Sequence, residues 1–243
     1  RTEASIATRW QHSVAANPSL FNASKFRYAG CNVAAVGGGG TSSGGRTSSL
    51  VVRLGLTDYA TFQGTHGVPH PLVTFGVDRL ARPFGNAVVV ETMDGYIPFL
   101  IRSHYTGEGS GAAVLPGGHP EPSEIGISDD DSDEDHQYGS TSAAEDVDDQ
   151  DVCSELWNAA RREVIEELFV PDERLSRVHD MRLLGIVSRE ADEKALMAVW
   201  AALGMSAEAV RATYLAGISN ADESVNVVFV PIADLSKVTT SGK

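Results

Sequence analysis

The chain is poor in cysteine: only Cys31 and Cys153 occur in 243 residues. Two thiols so far apart offer no disulfide framework, which removes the usual signature of a small secreted scaffold. It also lacks any run near the roughly 18 consecutive apolar residues of a membrane span, so no membrane is expected as a partner. Basic residues are outnumbered, 19 Lys and Arg against 33 Asp and Glu, for a formal charge of -14. That balance argues against nucleic acid as a ligand. Aromatic residues are only 7% of the total, yet 42% of the chain is hydrophobic, enough for a packed core. The chain opens at Arg1 without a methionine or a charged-then-apolar segment. The expectation is a shortened chain whose natural targeting sequence is not visible, with a cytoplasmic address as the default.

The negative charge is concentrated. Residues 125 to 151 hold eleven Asp and Glu and no Lys or Arg, so the rest of the chain carries only -3. With few apolar side chains to bury, that segment reads as a disordered, solvated insertion. Its "DDDSDEDHQYG" lacks the glycine and the terminal glutamate of a calcium-binding EF-hand loop. The glycine-rich "VGGGGTSSGGRTSS" at 36 to 49 has no Gly-Lys-Ser/Thr ending, so it reads as a flexible connection and not as a phosphate loop.

Elsewhere the pattern is mixed α and β. Helical periodicity covers about 6–16, 154–168 and 206–215, and apolar or alternating runs at 50–56, 86–92, 96–102, 195–203 and 225–231 read as strands. "CNVAAV" is strand-like, "NPSLFNASKFRY" reads as irregular, and Met93-Asp94-Gly95 offers a hairpin turn. Strands alternating with a few helices imply a layered α/β arrangement.

The candidate chemistry lies in "ARREVIEELF", residues 160 to 169. On a helix Glu163, Glu166 and Glu167 project within about a 100° arc, while Trp157, Val164, Ile165 and Leu168 supply the side to be buried. Glu163 and Glu167 repel one another at i,i+4, and Arg162 offsets part of that repulsion. Such a helix could be merely a solvated acidic face; carboxylates gathered on a rigid element are also what a hard divalent cation requires.

Upstream, "GGHPEPSE" runs from Gly117 to Glu124 with five residues between Gly118 and Glu124. Together with "REVIEELFV", this resembles the Nudix box: Gly, five residues, Glu, seven residues, then Arg-Glu-apolar-x-Glu-Glu-x-Gly-apolar. Two departures stand out. Phe169 occupies the second glycine position, and 37 residues (125–161) stand where the pattern has seven. An insertion ahead of the catalytic helix accounts for the second, and it puts the role of Glu124 in doubt more than those of the helix glutamates.

"PGGHPEP", "LFNASKFR" and "RLGLTDYATFQGT" resemble in addition the subgroup of Nudix enzymes that splits UDP-glucose and UDP-galactose into UMP and sugar 1-phosphate. The resemblance implies a Nudix-type α/β/α sandwich with a mixed sheet, at 81–243, and an N-terminal α+β extension, at 1–80, that contributes to nucleotide binding. It implies Mg²⁺ or Mn²⁺ held by Glu163, Glu167, Glu166 and the Gly118 carbonyl, with Arg162 orienting a glutamate. By the same resemblance Phe21, Tyr59, Arg102, His119, Glu121 and Ser241 would contact a nucleotide-sugar. Glu223 would stand where some Nudix enzymes keep an auxiliary glutamate. Two other readings stay open: hydrolysis of another nucleoside diphosphate such as ADP-ribose, or a non-hydrolysing nucleotide-binding module.

Overall fold

Asp148 opens the longest helix among the described residues. Its carboxylate accepts hydrogen bonds from the Gln150 and Asp151 amides, at 2.7 and 2.8 Å, satisfying two of the four donors left over at a helix N-terminus. Asp149 and Asp151 in the first turn add charge of the favoured sign. Helix α4 therefore runs Asp149–Leu168, starting five residues before the periodicity of its apolar residues would place it. Leu156, Ala159, Ala160, Val164 and Leu168 form its buried stripe.

The computed structural model describes residues 2–18, 20–35, 48–103, 111–127, 148–218 and 224–237. The acidic stretch 128–147, the glycine-rich 36–47, Glu223 and Ser241 lie outside them. The chain divides into two compact units.

One unit comprises Arg1–Phe84, Glu121–Ala143 and Ser188–Ala195. Helix α1 (Thr2–Ala16) packs on α2 (Tyr59–His66), and β1 (Ser24–Ala35) pairs antiparallel with β2 (Ser48–Asp58). Strand β1 thus claims Ser24 to Tyr28, which sequence patterning leaves irregular because the Asn and Pro residues of that stretch look like turn residues. The Asn22 carboxamide instead accepts from the Ala60 amide at 2.7 Å, beside the Asp58 cap of α2. A short helix, α3 (Pro71–Phe75), follows. Phe26, Tyr28 and Phe84 make the aromatic core, with Tyr28 and Phe84 stacked at 5.6 Å.

The other unit comprises Gly85–Pro120, Ala144–Val187 and Leu196–Lys243. Here β3 (Gly85–Thr92) runs parallel to β7 (Ala195–Leu203), which adjoins β6 (Arg182–Ser188). Strand β4 (Tyr96–Arg102) lies between β5 (Ala113–Val114) and β8 (Ser224–Pro231), antiparallel to both. Helix α4 packs on β3, and α5 (Ala207–Gly217) packs on β4, β8 and α4. The arrangement is mixed α/β, with parallel and antiparallel ladders.

The turn at Met93-Asp94-Gly95 forms, with Gly95 N–H on the Thr92 carbonyl at 2.9 Å and Gly95 at φ +79°. The strands it joins are nevertheless not a ladder pair, because both edges of β3 are already used. One edge faces β7; on the other, the Asn86 and Val88 amides each donate at 2.8 Å, to the carbonyls of Gly118 and Pro116. Strand β6, with Leu183, Leu184 and Val187 exposed, shows little of the alternation that reveals a strand.

Candidate active site

The last two turns of α4 bring Glu163 and Glu167 against the Pro116–Gly118 segment. A methyl group on Gly118 would overlap the Glu163 carboxylate, so the acid lies directly on the Gly118 Cα. Glu167 Oε2 accepts the Gly117 amide hydrogen at 2.8 Å. Gly117 must also lack a side chain, since a Cβ there would run into the Asn86 carbonyl on β3. The two glycines therefore let a strand edge and a pair of helix carboxylates converge on one turn.

Behind this turn stands Asn86, which alternation along β3 places in the inward row with the fully buried Val88 and Val90. Its Oδ1 accepts from the Gly118 amide at 3.2 Å, and the residue is only 5% exposed. The same parity in "GNAVVVET" marks it in the sequence, as a polar side chain where the pattern asks for an apolar one.

Arg162 meets a buried glutamate on its own helix. Its guanidinium meets Glu155, two turns back along α4, at 3.0 Å. Glu155 is 3% exposed, and a carboxylate at that depth needs such a partner. It escaped the sequence reading because it falls outside the box pattern, although the buried stripe of α4 includes it. The neighbouring Arg161 pins the chain after α4 by its bonds to Asp172 and to the Ser176 carbonyl.

Of the cation ligands expected from sequence, Glu163 and Glu167 meet the Gly117–Gly118 turn, whose Gly118 carbonyl accepts from the Asn86 amide; Glu166 is exposed on the same helix. Among the described residues no three His, Cys, Asp or Glu side chains form a ready cation cage. The oxygens present still suit a magnesium-like ion, which binds one or two carboxylates and retains several waters. Gly118 O also takes the Asn86 amide hydrogen, and a carbonyl oxygen has a second lone pair to give.

The remaining expected contacts fall on both units. His119 and Arg102 belong to the unit that holds α4. The His119 ring adjoins Gly85, where a Cβ would sit 3.7 Å from its Nε2, and Arg102 closes β4 with its amide on the Ala112 carbonyl at 3.0 Å. Phe21, Tyr59 and Glu121 belong to the other unit. Phe21 is 75% exposed, whereas the Tyr59 ring stands edge-on to Trp10 at 5.9 Å and its hydroxyl accepts from Gln63 at 2.7 Å. Glu121 pairs with Lys25 at 3.3 Å. Glu124 is exposed in the short helical turn Pro122–Ile125.

Phe169 fills the position of the second glycine in the box, and it has the backbone a glycine would supply: φ +53°, ψ +40°, directly after α4. The Val170 amide reaches back to the Ile165 carbonyl at 3.3 Å, the six-to-one bond of a Schellman cap. Its ring lies where Gly217, at the end of α5, leaves no Cβ in the way, and 6.1 Å from the Tyr214 ring.

No protein-family model matches the chain. Nudix hydrolase 9 of Arabidopsis thaliana is 31% identical over 246 residues, spanning 98% of this chain and 75% of that protein. Uridine diphosphate glucose pyrophosphatase NUDT22 of Bos taurus is 31% identical over 235 residues, spanning 93% and 74%; the Homo sapiens protein of the same name is 29% identical, spanning 96% and 73%. Among solved structures, a Nudix hydrolase from M. smegmatis, RenU, aligns at 14% identity with a TM-score of 0.34, over 64% of this chain and 74% of that one.

Proposed function

The chain belongs to the Nudix hydrolase family, and we propose that it hydrolyses the diphosphate bond of UDP-sugars, UDP-glucose and UDP-galactose, to UMP and sugar 1-phosphate with Mg²⁺. It is an enzyme that cleaves phosphoanhydrides. The observation that carries the reading is the convergence of Glu163 and Glu167 on the Gly117–Gly118 turn. The substrate class is supported by relatives named as UDP-glucose pyrophosphatases that align along more than nine-tenths of this chain.

A bound divalent ion would supply neutralisation of phosphate oxygens and a water of lowered pKa. In this reading Glu163, Glu167 and the Gly118 carbonyl hold it, and Glu166 completes the acidic cluster from its exposed position. Glu167 is kept in place by the Gly117 amide. Arg162 is held by Glu155 and steadies the helix from which both glutamates project. Arg102 and His119 would bind phosphate or sugar; Phe21 and Tyr59 would serve the base, Phe21 having a ring face available for stacking worth about 1–3 kcal/mol. Glu121 and Ser241 complete the proposed substrate contacts. The protein acts on a small molecule, in a cytoplasmic setting.

A panel of UDP-glucose, UDP-galactose and ADP-ribose, incubated with Mg²⁺ and resolved by chromatography, tests this. UMP with hexose 1-phosphate is the expected product pair. Turnover of ADP-ribose alone would overturn the substrate class, and no turnover of any diphosphate would overturn the catalytic reading.

A further inference from the structure

We propose that Asn86 is a substrate-binding residue, whose carboxamide Nδ2–H donates to a non-bridging oxygen of the diphosphate while its Oδ1 holds the Gly118 amide. This rests on the reading of the Glu163–Glu167 site as the place where a phosphoanhydride is cleaved.

The orientation of the carboxamide is decided by its neighbour. Gly118 N–H is a donor, so the atom 3.2 Å from it must be the acceptor oxygen, and a flipped amide would set two donors face to face. The other end is then the NH₂ group. That nitrogen is buried and has no hydrogen-bond partner among the described residues. Buried polar groups are paired in the great majority of cases, and an unpaired donor in a strand core carries a penalty that an aliphatic residue would avoid. Asn86 stands in the inward row of β3 with Val88 and Val90, where valine or leucine would pack without that penalty.

The place of the residue in the site points to the acceptor its donor lacks. Asn86 brackets the glycine turn three times: its amide donates to Gly118 O, its Oδ1 accepts from Gly118 N, and its carbonyl fills the space a Gly117 side chain would need. The same two glycines carry the Glu163 carboxylate and the hydrogen bond to Glu167. An NH₂ group here cannot bind a cation. It needs lone pairs, and a diphosphate brought to Glu163 and Glu167 supplies them on oxygens that bear negative charge. A neutral donor also suits the place better than Lys or Arg, which would pair with the glutamates and compete with the metal for them.

The test uses the whole chain and begins with wild-type turnover of the panel above. Asn86→Asp has the same shape and keeps an oxygen for Gly118 N–H, but replaces the donor with a charged acceptor. The expected result is a ~10- to 100-fold fall in kcat/KM, seen largely as a raised KM, alongside a lower Tm, because a carboxylate buried there without a partner is destabilising. A lower Tm with KM unchanged overturns the proposal. In case the variant folds poorly, the side-chain NH₂ resonances of Asn86 in wild-type protein are followed by NMR during titration with UDP, inorganic pyrophosphate and uridine. UDP and pyrophosphate should shift them and uridine should not. If the wild type hydrolyses a diphosphate while these resonances stay fixed, because a buried water satisfies the donor, the assignment of Asn86 fails and the catalytic reading stands. If nothing is hydrolysed and nothing shifts, both fail.

Discussion

Glu167 does two things that a substitution can separate. Its charge would serve the cation, and one of its oxygens anchors Gly117. Gln retains an oxygen to accept the Gly117 amide, so Glu167→Gln should keep its thermal unfolding midpoint while kcat falls by orders of magnitude. Circular dichroism melts and initial rates on the same preparation would check both halves; near-normal turnover in a stable variant would remove Glu167 from the site. The pair on Gly118 is less forgiving, since Glu163 occupies the volume of any side chain placed there. Glycine is needed at 118 for the approach of Glu163 and at 117 for both a close approach and a φ of +157°, whereas at Gly95 the need is conformational alone.

Helices α4 and α5 meet through an exchange of sizes. Phe169 takes the left-handed backbone that the family pattern gives to glycine, at a cost of about 1–2 kcal/mol, and its ring packs where Gly217 has no side chain. Each position therefore tolerates its unusual residue because of the other. Gly217→Ala should lower stability by about 1–3 kcal/mol through overpacking against the Phe169 ring. Phe169→Gly should relieve the backbone but lose the contact with Tyr214. The double variant should be more stable than the sum of the two changes predicts, by about 0.5–3 kcal/mol in a denaturant double-mutant cycle. Additive effects would show that the two helix ends are independent.

Across the whole chain, the net charge of -14 is largely the acidic segment's, and the body is close to neutral. Its sensitivity to pH should come from one buried pair. His66 Nε2 accepts from the Arg82 amide at 3.1 Å, so Nδ1 carries the hydrogen directed at Asp192, also at 3.1 Å. Burial lowers the His66 pKa below its ordinary 6.5, against the opposing pull of Asp192. Burial alone would raise Asp192, but hydrogen bonds from Arg189 and His66 hold it down at about 2. Both groups bind protons less readily folded than unfolded. The contribution of His66 is thus complete above about pH 6.5 and is lost as pH falls through its lower folded pKa; that of Asp192 persists until pH falls from 3.8 toward about 2. Unfolding free energy measured from pH 7 to 5 should decline in the wild type, and His66→Gln, with one donor and one acceptor, should flatten that decline. Equal slopes would assign the acid sensitivity to other groups.

Periodicity revealed most of the elements, among them β3, β4, β7, β8 and the acidic face of α4, because an apolar stripe at a spacing of two or of three to four is a local property of the chain. It fell short at the start of α4, where Asp148 acts through a cap, and at β6, whose exposed Leu183 and Leu184 break the alternation. The glutamates and glycines of the site were legible as residue types at a spacing. Their convergence was not, since Gly118 and Glu163 are far apart along the chain and meet only through the packing of α4 on β3. Asn86, Glu155 and the matched pair Phe169 and Gly217 belong to that second category. Their importance comes from burial and from what lies across the gap, and those quantities do not exist until distant segments exclude water together.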